Sequence, residues 1–426
     1  MGETAQLEES PSKPTINITD SGSTKAEKFI QEWNDAFSLK VFQMPHLAKR
    51  CLHTIVGLML RDVKLCFQGS YTDLRDSSII MQDSGTGKKP TIEFLEGIAK
   101  KLGFKFRRRS TITSAGAVGT VVIEDIIDSD TNCKIKAPVV VDGDLKTLDL
   151  LTCSEADSIL YSRIDAFGND LLTNLCDSQD AENQISKKLA NGEVEPFTSK
   201  TTLFLTTTVP KTINPRWFEK GLFQRFGISI KTISFEQYQD IRNEIFNNLG
   251  KGSDSTKTID DLVTSLKVRP IPKHFEISEE IKGKLLEKAK LLDQMLIDLK
   301  NPEIQATLKS FTNRRDLKLV VYACHHAWLD ERNELNGSDV EYAFEVSRES
   351  WNDILNFIGH KTSEVKSCRE AILGLMADGK TRKTDDIAKS LPTFKRNNIY
   401  WSLSNLKDEG KLAYPERDTY RLNLEP

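Results

Sequence analysis

The fold is decided by the stretch Ser77-Ser-Ile-Ile-Met-Gln-Asp-Ser-Gly-Thr-Gly-Lys-Lys-Pro-Thr-Ile-Glu-Phe-Leu-Glu-Gly-Ile-Ala-Lys-Lys-Leu-Gly103. Apolar residues at 79–81 predict a short buried strand, and those at 92, 95, 98 and 102 share one face of a predicted helix. Gly85 and Gly87 occupy the turn between them, while Pro90 suits the first helical turn and Gly103 the helix end. The stretch therefore predicts a strand, a glycine-rich loop and a helix in direct succession.

This succession is typical of a P-loop, which binds nucleotide phosphates. Backbone N–H groups at a helix start can bind phosphate oxygens, and Lys88 adds a positive charge beside them. The usual pattern is G-x-x-x-x-G-K-[ST]; here Gln82 replaces the first glycine and Lys89 the hydroxyl residue that holds Mg²⁺. The alternative is a tight strand-to-helix connection with two solvated lysines. The predicted nucleotide-binding residues are Ser84, Gly85, Thr86, Gly87, Lys88 and Lys89.

Length and composition indicate a globular protein of two or three domains, since the chain has 426 residues of which 38% are hydrophobic. The net charge of −3 argues against a surface covered by nucleic acid, but it allows a local basic site. The sequence has neither an 18-residue apolar run nor a signal pattern, so we expect no membrane contact. The seven cysteines lack C-x-x-C spacing and predict neither a zinc site nor a disulfide framework. An intracellular location, cytoplasmic or associated with the nucleoid, is the expectation.

The segments around the predicted P-loop are mostly helical on its N-terminal side. Residues 1–24 are polar and predict a disordered tail. Two apolar helices are predicted around residues 29–37 and 47–60. After the P-loop helix, residues 104–107 predict a second strand, and a long polar excursion follows from Arg109 to about Lys146.

The next predicted strand, within 158–167, should carry the acidic residues of the site. In P-loop ATPases such a strand ends in carboxylates that hold Mg²⁺ and activate water. Ser162 and Arg163 occupy those positions here, so Asp165 is the predicted metal ligand. The apolar run at 139–141 is an alternative strand, with Asp142 or Asp144 as the ligand.

Three further β segments are predicted before the chain becomes helical. The Asn191-Gly192 turn predicts a hairpin, and the β-branched run Thr201–Pro210 predicts a buried strand. Residues 228–233 predict the last strand, and residues 249–257 a linker.

In the order of these parts the chain resembles the AAA+ ATPases of the minichromosome-maintenance (MCM) clade over about residues 45–350. The segments that carry the resemblance are Ser84-Gly-Thr-Gly-Lys88, Ile185-Ser-Lys-Lys188, Thr208-Val-Pro210, Leu222-Phe-Gln-Arg-Phe226 and Asn313-Arg-Arg-Asp-Leu317. The resemblance implies an α/β fold with a P-loop AAA+ parallel-sheet core and a helical lid. It also implies ATP and Mg²⁺ as cofactors, DNA as a partner, and a homo- or hetero-oligomer that could be a ring.

The resemblance also implies individual roles. Lys187 and Lys188 would contact DNA from a pore hairpin, Arg225 would be an arginine finger that reaches a neighbouring subunit's nucleotide, and Arg315 a second sensor. Arginine suits such roles because its planar charged fork matches phosphate oxygens. The family's water-positioning Asn is replaced by Val209. The site therefore retains groups that bind phosphate and lacks groups that handle Mg²⁺ and water, so binding of ATP with slow or no hydrolysis is expected.

The C-terminal third predicts helices that fit an AAA+ lid and then a winged helix-turn-helix. Residues 338–341 predict a capping box that opens a helix to about Phe357. Beyond about residue 367, three short helices precede two strands and a turn that contains Arg417. In the third helix the apolar positions are 399, 403 and 406. The polar residues predicted to face outward are Lys395, Arg396, Asn398, Ser402 and Asn405.

The sequence thus predicts a tail at 1–24, an AAA+ α/β core at 25–250, a helical lid at 258–360 and a winged helix at 364–426. The expected function is that of an ATP-binding, MCM-like protein acting on DNA in replication, as a helicase or a helicase-related motor. The predicted DNA-binding residues are Lys187, Lys188, Lys395, Arg396, Asn398 and Arg417. The alternatives are an origin-binding AAA+ initiator and an inactive scaffold tethered to DNA, or a winged helix that binds a protein instead.

Overall fold

The fold was analysed in a computed structural model. It describes residues 24–423 except 42–43, 68, 128–133, 163, 165–169, 190–191, 211–212, 215, 248–254, 300–301, 310, 395, 409 and 417. The helices are α1 Lys25–Ser38, α2 Pro45–Met59, α3 Lys88–Leu102, α4 Ser114–Val118, α5 Asp144–Thr147, α6 Asp157–Leu160, α7 Leu171–Asp177, α8 Arg216–Glu219, α9 Leu222–Arg225, α10 Phe235–Asn247, α11 Ser255–Val268, α12 Glu279–Asp298, α13 Pro302–Lys309, α14 Thr312–Leu329, α15 Gly337–Met376, α16 Thr384–Ser390 and α17 Arg396–Asp408. The strands are β1 Lys64–Phe67, β2 Ser70–Asp73, β3 Ser78–Gln82, β4 Phe106–Arg109, β5 Gly119–Ile127, β6 Lys134–Asp142, β7 Leu150–Cys153, β8 Gln184–Leu189, β9 Gly192–Thr198, β10 Thr202–Thr207, β11 Gly227–Lys231, β12 Arg382–Lys383, β13 Leu412–Ala413 and β14 Thr419–Leu422.

The central element is a five-stranded sheet in the order β11-β3-β10-β7-β4, with every neighbouring pair parallel. Its three inner strands are buried along their whole length, as expected for a parallel sheet covered on both faces. The α/β fold with a parallel sheet is therefore confirmed. Because the strands run the same way, their carboxyl ends meet at one edge, and the glycine-rich loop after β3 lies there.

Helix α2 packs on this sheet, and α1 and α3 pack on α2. The ring of Phe94 on α3 meets those of Trp33 and Phe37 edge-on, with ring centroids 5.3 and 5.1 Å apart. The indole N–H of Trp33 donates to the carbonyl oxygen of Ala48 at 2.9 Å. The predicted strand and helix are confirmed as β3 and α3, with the glycine-rich loop between them. Helix α3 is followed by Gly103 in the left-handed conformation, as predicted for the helix end. Residues 1–23 of the predicted tail and 249–254 of the predicted linker lie outside the described residues. Thr24 caps α1, and residues 255–257 belong to α11, so the linker prediction is wrong for these three.

The strand predicted within 158–167 is wrong. Residues 157–160 form the short helix α6, whose Ile159 and Leu160 are buried. The strand that occupies this place in the sheet is β7, Leu150–Cys153. The alternative strand at 139–141 is also not in the sheet, because it lies in β6 and pairs antiparallel with β5. The predicted polar excursion after Arg109 is therefore a regular hairpin.

Two antiparallel hairpins, β5–β6 and β8–β9, lie beside each other. The second was predicted from Asn191-Gly192, and its strands are confirmed, although Asn191 lies outside the described residues. A side chain at Gly192 would contact Val121 of β5 at about 3.6 Å. The two hairpins therefore pack against each other.

Helices α12, α14 and α15 form the C-terminal helical unit. The capping box at the start of α15 is formed by Asn336 and Asp339, not by the residues predicted at 338–341. The predicted end near Phe357 is also wrong, since α15 continues to Met376. One helix thus crosses the predicted boundary at 360–364.

A buried ionic cluster joins this helical unit to the sheet; we call it the ionic junction and define it as Arg50, Asp76, Lys318 and Tyr322. Lys318 Nζ lies 2.7 Å from Asp76, and Arg50 donates to the Tyr322 hydroxyl oxygen at 2.8 Å. Arg50 Nη1 lies 3.7 Å from the Asp76 carboxylate. Burial by itself would raise the pKa of Asp76, but Lys318 and Arg50 outweigh it and hold that pKa below its usual value.

A chain of hydrogen bonds through two histidines adjoins the ionic junction. His325 Nε2 lies 2.8 Å from the Leu74 carbonyl oxygen and must donate to it. Its Nδ1 therefore accepts from His53 Nδ1–H at 3.0 Å, and His53 Nε2 accepts from the Tyr342 hydroxyl at 3.2 Å. Burial lowers the pKa of His53, and it lowers that of His325 to about 4, which keeps both rings neutral at pH 7. Together with the ionic junction, this chain ties α2, α14, α15 and the entry to β3.

The C-terminal end of α15 joins a second, smaller core with α16, α17 and a three-stranded sheet in the order β12-β14-β13. The predicted core positions Ile399, Leu403 and Leu406 are fully buried there. This confirms the apolar face of α17.

Candidate functional site

The glycine-rich loop after β3 presents backbone N–H groups at the edge of the sheet. Gly85 and Gly87 have φ values of 76° and 92°, a left-handed conformation that glycine adopts without strain. Gly87 immediately precedes α3, and no side chain among the described residues caps that helix start. Its first N–H groups therefore remain available, and a helix start of this kind attracts an anion.

Lys88 folds back over the loop. Its ammonium group donates to the carbonyl oxygen of Gln82 and to that of Asp83, the latter at 3.1 Å. Partial burial lowers the pKa of Lys88, while the carboxylates of Asp83 and Asp157 act in the opposite direction. Among the described residues, the hydrogen-bond acceptors of the Lys88 ammonium group are backbone carbonyl oxygens, and such neutral partners can be exchanged for the charged oxygens of a phosphate.

Gln82, which replaces the usual first glycine, braces the loop from inside. Its amide nitrogen donates to the carbonyl oxygen of Thr86 at 2.8 Å, and its amide oxygen lies 2.6 Å from His46 Nε2. Burial lowers the pKa of His46 to about 4, so at neutral pH the ring is neutral. The sequence offered no signal for this contact, because His46 lies in the preceding helix.

Of the remaining predicted loop residues, one forms a hydrogen bond within the loop and two are exposed. The Thr86 hydroxyl donates to the Asp83 carbonyl oxygen within the loop. Ser84 and Lys89 are exposed. Thr91 has a hydroxyl in the first turn of α3, but it donates to the Gly87 carbonyl oxygen at 2.7 Å. The hydroxyl that would bind Mg²⁺ is therefore missing, as the sequence indicated.

The acidic residues of the site were predicted on the wrong strand. Because β7 is the sheet strand, the carboxylates that follow its end are Glu155 and Asp157, both exposed. Asp157 is close enough to Lys88 to influence its pKa. The sequence signal was a short apolar run at 150–151 with Glu155 soon after it. Asp165 lies outside the described residues.

The two alternative metal ligands have structural partners instead. Asp142 pairs with Lys146 at 2.7 Å. The buried Asp144 binds Arg107 at 2.6 Å and Arg109 at 2.8 Å. Across the described residues, no group of three or more His, Cys, Asp or Glu side chains is arranged to hold a metal ion.

The predicted arginine finger and second sensor bind different carboxylates. Arg225 binds the Asp180 carboxylate at 3.1 Å and donates to the Lys220 carbonyl oxygen at 2.8 Å. The other arginine on that carboxylate is Arg314, whereas Arg315 is buried against Asp293 at 2.8 Å. Arg314, and not Arg315, thus lies beside Arg225. The sequence alone did not distinguish between Arg314 and Arg315, because they are consecutive.

The two hairpin lysines point to opposite faces of β8. Lys187 is only 4% exposed, and its ammonium group donates to the Gly119 carbonyl oxygen at 3.3 Å. The prediction that Lys187 contacts DNA is therefore wrong, because the lysine fastens the two hairpins together. Lys188 is exposed and lies opposite Glu193 in the strand register.

The outward face of α17 also differs from its prediction. Asn398 is 6% exposed and Ser402 is fully buried, so neither belongs to a groove-reading surface. Arg396 is exposed, but it pairs with Asp385 and donates to the Tyr400 hydroxyl oxygen at 2.9 Å. Lys395 and Arg417 lie outside the described residues.

No model of a known protein family matches this chain, and no curated protein matches its sequence. None of the helices in the described part of the chain is both long and apolar enough to span a bilayer.

Proposed function

We propose that the chain binds ATP at the glycine-rich loop and acts on DNA as an AAA+-like protein of the MCM type. The observation that carries the proposal is the combination of the left-handed Gly85 and Gly87 with Lys88 and the uncapped start of α3. These groups lie at the carboxyl edge of a parallel sheet, where α/β proteins bind ligands. Strand β3 lies between β11 and β10, and β7 and then β4 follow on the β10 side. This strand order is consistent with an AAA+ core.

The phosphate chain of ATP would be bound by the N–H groups of the loop and by Lys88. Mg²⁺, which needs few protein ligands when phosphates supply oxygens, would use Glu155 and Asp157. When bound, the ion would neutralise phosphate charge in the transition state. Lys89 and Val209 supply neither the metal-binding hydroxyl nor a water-positioning amide, so we expect slow hydrolysis.

Calorimetric titration with ATP tests nucleotide binding. Lys88→Ala should weaken binding by about tenfold or more, because a hydrogen bond from a charged group is lost. Lys273→Ala, which changes an exposed lysine between α11 and α12, is the matched control and should bind as the wild type does. Turnover should stay well below the roughly 1–100 s⁻¹ of kinases. If the wild type binds no nucleotide while it binds DNA, the proposal fails and a DNA-tethered scaffold is favoured.

The proposed DNA contact is supported by the exposure of Lys188 on β8, in a strand of the two hairpins that pack together. The small C-terminal core has the element order of a winged helix and would be a second contact through α17. Light scattering with and without ATP distinguishes two forms of the proposal. A helicase-related motor should assemble into a ring, whereas an origin-binding initiator should act as one or two subunits.

A further inference from the structure

Helix α10 begins beside the glycine-rich loop, and its Tyr238 lies next to Gly85 of that loop. Tyr238, in the first turn of α10, is 46% exposed. A Cβ atom at Gly85 would lie 3.7 Å from the Tyr238 hydroxyl oxygen and 3.9 Å from its Cε2. The phenol thus borders the space directly above the loop.

The position of Tyr238 is set by contacts on both sides of the helix start. Asp83, a loop residue, accepts a hydrogen bond from the Ile233 N–H at 2.8 Å. The Ser234 hydroxyl then accepts from the Gln237 N–H at 3.2 Å, and the Gln237 side chain accepts from the Ser234 N–H at 3.0 Å. This reciprocal cap fixes the direction in which α10 leaves the loop.

The rest of α10 is loosely packed, which leaves the phenol accessible. Among the described residues of the helix only Ile241 is buried. Within the part of the chain that the structure describes, no hydrogen bond from the Tyr238 hydroxyl is found. A hydroxyl held in place beside an anion-attracting loop, with its hydrogen unused, is suited to donate to that anion.

We infer that Tyr238 is a further ligand of the phosphate chain, donating its hydroxyl hydrogen to a phosphate oxygen of the nucleotide on the loop. The inference rests on the proposed nucleotide binding and adds a residue to the same site. Gly85 contributes a second feature, because the absence of a side chain keeps the space between the loop and the phenol open. Tyr238 would thus add a hydroxyl donor to the phosphate site next to Gly85.

The experiment compares Tyr238→Phe with the wild type in titrations with ATP and with inorganic tripolyphosphate. Loss of one hydrogen bond to a charged group should weaken both ligands by about tenfold. Tyr71→Phe, a change at another exposed tyrosine, is the matched control and should alter neither. The phenylalanine keeps the ring, so the fold of α10 should be unaffected.

Each outcome decides a separate point. An equal loss for ATP and tripolyphosphate supports the phosphate contact, whereas a loss for ATP alone overturns it in favour of a hydroxyl contact with the base or the ribose. If the wild type binds ATP and Tyr238→Phe binds it equally well, the inference is wrong and the proposed function stands. If the wild type binds neither ligand, the proposed function fails first.

Discussion

The glycine-rich loop and the ionic junction are both polar regions next to β3, but their polar groups have different partners. In the junction, the buried Asp76 carboxylate lies 2.7 Å from Lys318 Nζ and 3.7 Å from Arg50 Nη1, so side-chain charges are paired with each other. In the loop, the hydrogen-bond acceptors of Lys88 among the described residues are backbone carbonyl oxygens, and no side chain of those residues caps the start of α3. The side-chain charges of the ionic junction are paired with each other and stabilise the fold. The uncapped N–H donors of the loop are available to a ligand.

The largest expected effect is on the junction. Asp76→Ala leaves Arg50 and Lys318 without their carboxylate, and an uncompensated buried charge costs about 3–5 kcal/mol of unfolding free energy. Denaturant unfolding measures it. Asp62→Ala, which breaks the exposed pair with Lys200, is the control and should cost less than about 1 kcal/mol. Equal effects of the two changes would contradict a structural role of the junction.

The histidine chain should make the junction sensitive to acid. The pKa of His325 is lowered from 6.5 to about 4 in the folded protein, so its stabilising effect is complete above pH 6.5 and lost as pH falls towards 4. The loss should reach roughly 3 kcal/mol at pH 4 for this group. Unfolding at pH 7, 5.5 and 4.5 tests the slope. His325→Gln should flatten that slope, whereas a change at His274, outside this chain of hydrogen bonds, should leave it unaltered.

A smaller effect is expected from loss of the Gln82 hydrogen bonds that stabilise the loop. Gln82→Gly restores the usual P-loop glycine but removes the hydrogen bonds to Thr86 and His46, so ATP affinity should fall about three- to tenfold. His46→Ala should act through the same contact, and the double variant should therefore lose less than the product of the single losses. Tighter binding by Gln82→Gly would mean that the glutamine obstructs the site.

The smallest expected effect concerns DNA. Lys188→Ala should reduce the slope of log affinity against log salt by about one unit if the lysine neutralises one phosphate. Glu193 opposite it reduces the effective charge, so the affinity loss should be modest. Lys187→Ala should instead lower stability, because that buried lysine joins the hairpins. An unchanged salt slope for Lys188→Ala would remove the hairpin from the proposed DNA surface.

Local patterns predicted the fold better than the site. The strand, loop and helix at 78–102 follow from adjacent residues, whereas β7 has only four residues, and the apolar run at 159–160 could not be told from a strand by its pattern. Successive side chains of a strand point to opposite faces, so this rule applied to β8 places Lys187 on the same buried face as Ile185. The contacts of Gln82 with His46 and of Tyr238 with the loop join distant segments, so no local pattern predicts them.

The most direct test of the contrast between the loop and the junction is the shift of the thermal unfolding midpoint caused by ATP. A ligand that binds only the folded state stabilises it by about 2.7 kcal/mol at one hundred times its Kd. We expect this stabilisation in the wild type and in Asp76→Asn, which should begin from a lower midpoint, and we expect it to be reduced or lost in Lys88→Ala. The same shift in the wild type and in Lys88→Ala, or its loss in a folded Asp76→Asn protein, would contradict the assignment of the loop to the ligand and of the junction to the fold.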